Sequence, residues 1–84
     1  MALYVISYDL IGKSYDQYET LIAELERLGA HRVLLSQWAL RNNSTSEQIR
    51  DHLYPFMHPN DRVLVTEITG NWASRNTLIN LNSV

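Results

Sequence analysis

The stretch Leu3-Tyr4-Val5-Ile6-Ser7-Tyr8-Asp9 constrains this chain most: it reads as a strand that is apolar on both faces and ends in one carboxylate. Side chains alternate across a strand, so Leu3, Val5, Ser7 and Asp9 share one face while Tyr4, Ile6 and Tyr8 share the other. Both faces need cover. A two-sided strand belongs inside a sheet that packs against something on each side, and the rest of the chain has to supply at least one of those layers.

The remaining sequence supplies two helices. Tyr18, Leu21, Ile22, Leu25 and Leu28 recur at spacings of three and four, the stripe of an amphipathic helix, with Ser14 and Gln17 as a capping box before it and Gly29 at its C-terminal end. A second capping box, Ser44 with Glu47, opens a helix whose inner side is Ile49, Leu53 and Phe56, and Pro55 limits its length. Between them, Arg32 to Arg41 is extended by composition: one long bent strand, or two short strands folded about Ser36-Gln37, the second being favoured. His58-Pro59-Asn60-Asp61 has turn chemistry, and Val63 to Ile68 reads as a last strand.

The order strand, helix, strand, strand, helix, strand predicts an α+β domain: ferredoxin-like βαββαβ, with a four-stranded antiparallel sheet and both helices on one face. Residues 1–84 then form a single domain, and its second sheet face is bare. A chain of 84 residues buries only about 60 to 65% of its surface on folding, so a homodimer packed sheet to sheet is the simplest cover. The segment 71–84 carries Trp72, Leu78, Ile79, Leu81 and Val84, too apolar for a free terminus; part of it is expected to dock on the dimer, as an added edge strand on the partner.

Composition narrows the chemistry. The absence of Cys removes a disulfide framework, a thiolate nucleophile and Cys-based zinc sites. No run reaches membrane-spanning length, and the N-terminal residues lack a signal-peptide pattern, which predicts a cytoplasmic protein with no membrane partner. A net charge of −2 argues against general polyanion affinity but allows a local basic patch, and six of the seven basic residues are Arg. His52 and His58 straddle Pro55 and do not keep the helical spacing of a metal pair.

Asp9, at the C-terminal end of a central strand, has the chemistry to hold a hard divalent cation, and a nearby two-fold axis would bring a second copy. Paired carboxylates with magnesium could orient a water against a phosphodiester; the alternative is that Asp9 accepts loop amides or pairs with an Arg. Lys13 beside Asp9, with Arg32 and Arg41 bracketing the paired strands, could meet phosphates or form ordinary ion pairs. Trp38 and Trp72 could stack on bases or pack in a core or interface. Ser36 lacks a nucleophile-elbow context and reads as a turn serine.

Ser7-Tyr8-Asp9 at a strand end, Leu28-Gly29-Ala30 closing a helix, Arg32-Val33-Leu34-Leu35-Ser36-Gln37-Trp38, and Asp61-Arg62-Val63-Leu64-Val65 together resemble the CRISPR-associated Cas-two family over about residues 3 to 68. The resemblance implies a ferredoxin-like homodimer that binds duplex DNA as partner of a CRISPR integrase, with metal-dependent endonuclease activity on RNA or DNA in some members. It implies Asp9 as the catalytic and metal-binding carboxylate. Arg32 and Ser36 match the family's second-strand motif, so with Lys13 and Arg41 they are the expected nucleic-acid contacts. The chain departs from the family in having only Lys13 as a basic residue before the first helix, Trp38 in place of the usual Phe, and Ala39 where an acidic residue often stands. A depleted basic loop is what a stand-alone relative would show, or a dimeric interaction module without nuclease activity.

Overall fold

The computed structural model describes residues 1–12 and 18–84. Four strands, β1 (Ala2–Asp9), β2 (His31–Leu34), β3 (Gln37–Asn42) and β4 (Arg62–Ile68), alternate with two helices, α1 (Glu19–Arg27) and α2 (Ser46–Leu53). The strands form one sheet in the order β2-β3-β1-β4, with every neighbouring pair antiparallel. This is an α+β architecture compatible with a ferredoxin-like fold. No helix among the described residues is long and apolar enough to cross a membrane.

The period-two pattern of β1 sorts the core as its residues require. Tyr4, Ile6 and Tyr8 join Trp38 and Leu40 of β3 and meet Leu21 and Leu25 of α1 and Ile49 and Leu53 of α2 in the main hydrophobic cluster. Both helices therefore cover the same sheet face. Trp38 Nε1 donates to Tyr8 Oη at 2.9 Å, which gives the buried indole N–H a partner. The helices are also tied to each other: Glu24 of α1 takes a bidentate ion pair from Arg27 at 2.5 and 2.6 Å and binds His52 Nε2 of α2.

Local signals explain the element ends. Gly29 lies at φ +87°, a left-handed conformation suited to glycine just beyond a helix, and its position closes α1 as the sequence suggests. The capping box of α2 is Thr45 with Gln48, one residue later than Ser44 with Glu47: Gln48 N donates to Thr45 Oγ1 at 3.1 Å and Thr45 N donates to Gln48 Oε1 at 2.9 Å. Asn42 Oδ1 instead accepts Ser44 N, and the Ser44 carbonyl accepts the Tyr4 hydroxyl at 2.5 Å. Pro55 ends α2 by forcing a 3-10 turn over Tyr54–Phe56. The box expected at Ser14 and Gln17 lies outside the described residues.

The second sheet face is half covered by the chain's own C-terminal segment. Leu81, with Ile79 and Val84, packs on Leu3, Val33, Ala39 and Ile68. Leu78 N donates to the Val33 carbonyl at 2.8 Å, and Arg41 Nε donates to the Val84 carbonyl at 3.0 Å. In the single chain, the segment expected on a partner's edge thus lies across its own sheet. The other half of that face, with Val5, Ser7, Asp9, Leu64 and Thr66, stays open, and Leu64 is 64% exposed.

Candidate functional site

The open half-face ends in a depression of about 250 Å³ lined by Ser7, Tyr8, Asp9, Ser36, Arg62, Val63 and Leu64. Strand pairing builds it. Asp9 is the last residue of β1 and stands opposite Arg62, the first of β4, while Ser36 lies in the tight turn from β2 to β3. Tyr8 N donates to the Ser36 carbonyl at 3.1 Å, which fixes the turn against β1, and Gln37 Nε2 donates to Ser7 Oγ at 3.0 Å. The two short strands folded about Ser36-Gln37 are therefore what bring Ser36 beside Asp9.

Asp9 is 64% exposed, and Arg62 Nη1 stands 3.6 Å from its Oδ2. A contact this long between two solvated groups contributes little, so neither charge is consumed by the fold. Asp9 and Ser36 are thus brought together with Ser7 and Arg62. The donor set is hard oxygen, which suits magnesium, but the described residues offer one carboxylate here, Asp9. Among the described residues there is no group of three or more His, Asp or Glu placed to hold a metal.

The other expected contacts do not join this patch. Arg32 faces the helix side of the sheet, where its guanidinium lies 4.8 Å from the centre of the Trp38 ring. That is a cation–π contact, and it spends the charge on the core's margin rather than beside Asp9. Arg41 stands opposite Leu3, six residues back along β1 from Asp9, or about 20 Å at the usual rise of a strand. It is held there by the Val84 carbonyl. Lys13 lies outside the described residues. Trp38 is 4% exposed, so it packs in the core, and Trp72 stays partly exposed in the C-terminal segment.

Two residues that sequence reasoning passed over belong to the site or its frame. Arg62 could have been found by noting that an antiparallel β4 starting after the 58–61 turn must begin where β1 ends. Asp61, its neighbour, is structural: Oδ1 accepts Ile11 N at 2.8 Å, Gly12 N at 2.9 Å and the Tyr18 hydroxyl at 2.7 Å, and Oδ2 accepts His58 N at 2.7 Å. Burial alone would raise its pKa; the Tyr18 hydroxyl and the amides of Gly12, His58 and Ile11 outweigh that and hold it below the usual carboxylate value. Asp61 thereby pins the chain that leaves Asp9 to the turn that precedes Arg62. No protein-family model matches the chain.

Proposed function

We propose that this chain is a Cas-two-like homodimer associated with nucleic acid, with a magnesium-dependent phosphodiesterase centre at Asp9. The observation that carries the reading is the exposed Asp9 carboxylate at the end of a central strand, beside Ser7, Ser36 and Arg62, on the half-face that the C-terminal segment leaves open. A second copy packed on that face would cover Leu64 and Val5 and place two aspartates near one axis. Asp9 from each copy would hold the cation, Arg62 would offer its fork to a phosphate oxygen, and the Ser36 hydroxyl would donate to another. Magnesium, when bound, supplies charge neutralisation at the phosphoryl group and a more acidic bound water. The net reaction adds water across a P–O bond and leaves a phosphate monoester and a hydroxyl.

The test is cleavage of labelled RNA and DNA with magnesium, comparing the parent with Asp9→Asn. The substitution keeps shape and removes the charge, so cleavage should fall at least about 100-fold while sedimentation still reports a dimer. Cleavage at the parent's rate would remove Asp9 from the mechanism. A second reading, a dimeric interaction module without catalysis, draws on the Arg62 contact to Asp9 and on the separation of Arg32 and Arg41 from the depression. Failure of both proteins to cleave either nucleic acid, with the dimer intact, would favour it.

A further inference from the structure

The C-terminal segment that covers half of the second sheet face is lightly held. Of residues 71–84 only Leu81 is buried, in a single 3-10 turn over Leu81–Ser83 that follows a stretch without helix or strand. Leu78 N reaches the Val33 carbonyl at 2.8 Å and Arg41 Nε the Val84 carbonyl at 3.0 Å, which ties the segment to the sheet. Other hydrogen bonds, such as Thr77 Oγ1 to the Ile79 carbonyl and Asn82 N to Asn80 Oδ1, close within it. Under this strap lie Leu3, Val33, Ala39 and Ile68, and β1 and β4 continue from there into the open half at Val5 and Leu64.

We infer that this strap is a displaceable cover, closed on its own sheet in the single chain and released when a second copy takes that face. The inference rests on the homodimer proposed above. A partner that covers Val5 and Leu64 and brings both Asp9 residues near one axis must lay its strands along these, so the two strapped halves face each other as well. Facing sheets pack about 10 Å apart, with room between them for the interdigitated side chains of their two inner faces. In each copy the strap's backbone and its Leu81, Ile79 and Val84 side chains already occupy that space, so the sheets cannot close over two straps. Release costs each chain the burial of Leu81. It returns Leu3, Val33, Ala39 and Ile68 to a face continuous with Leu64, which the partner then covers. The dimer constant is thereby weakened by the fraction of chains whose strap is open, and loosening the strap has to tighten the dimer.

The experiment is sedimentation of the full chain over a concentration series, with hydrogen exchange followed at the Leu78 amide. Leu81→Ala should tighten the dimer at least about tenfold. Arg41→Ala removes only the contact to the Val84 carbonyl and should tighten it about two- to fivefold. This second variant leaves the buried anchor in place, so the test does not depend on the stability of the first. In the parent, the Leu78 amide should be protected where the monomer prevails and lose that protection as the dimer forms, because its partner is the Val33 carbonyl of its own sheet. A dimer no tighter in either variant than in the parent, or a Leu78 amide as protected in the dimer as in the monomer, would overturn the release and leave the homodimer standing in another arrangement. A parent and two variants that all stay monomeric at every concentration would remove the homodimer, and the displacement with it.

Discussion

Asp61 illustrates how one side chain can fix a site without entering it. Its two oxygens receive Ile11, Gly12, His58 and Tyr18, which joins the end of β1 to the start of β4. Asp61→Asn would set an amide N–H against one of those donors, so it should destabilise the protein by about 1–3 kcal/mol, read from the urea midpoint. An unchanged midpoint would show that the cluster is dispensable. The same junction explains a glycine. A Cβ on Gly12 would come within 2.2 Å of the His58 ring, so Gly12→Ala should cost a similar amount through overpacking, about 1–3 kcal/mol. Turn chemistry at His58 to Asp61 was legible in the residues, but not the role of Asp61: Ile11, Gly12 and Tyr18 lie 43 to 50 positions away in sequence, and only register brings them to it.

At the level of elements, α1 and α2 are joined by Glu24, whose carboxylate is held down to a pKa of about 2 by Arg27 and then by His52, against the opposing effect of burial. The sign follows from linkage. A carboxyl whose pKa is lower folded than unfolded contributes stability that is fully present above its ordinary value of 4.5, and that contribution is lost as pH falls toward about 2. The stability difference between the parent and Glu24→Gln should therefore shrink steadily as pH falls from about 4.5 to about 2. Urea titrations across that window check it, and a difference independent of pH would refute the linkage.

Helices and strands themselves were readable because period and punctuation agree: the Tyr18 to Leu28 stripe, Gly29, Pro55 and the alternation of β1 all act locally. The cap of α2 shows where local information fails. Ser44 with Glu47 and Thr45 with Gln48 fit the same pattern one residue apart, and the box forms at the second, while the Tyr4 hydroxyl donates to the Ser44 carbonyl. The candidate site divides in the same way. Asp9 could be named from sequence because it ends a strand and Ser36 entered through the family resemblance, but strand parity turned Arg32 to the helix side and strand length carried Arg41 away.

At the scale of the whole molecule, the sheet has one face sealed by helices and one shared between the C-terminal segment and open surface. Leu81 is the buried anchor of that segment, and Leu81→Ala should destabilise the chain by about 2–3 kcal/mol in thermal or urea unfolding. Leu64 belongs to the open half. If a second copy covers it, Leu64→Asp should convert a dimer at micromolar concentration into a folded monomer in sedimentation, because a carboxylate cannot be buried there without a partner. A dimer unaffected by that change would place the contact on another surface.

The positions of the two tryptophans give the unmodified chain a pair of separate optical reporters. Trp38 is sealed among core side chains and Trp72 lies half in water on the segment that leads to Leu81. Iodide should quench only the red-shifted part of the emission in the folded protein. Lifting of the C-terminal strap and melting of the sheet would therefore register as two distinguishable fluorescence events, and the order in which they occur on heating can be followed without attaching a dye.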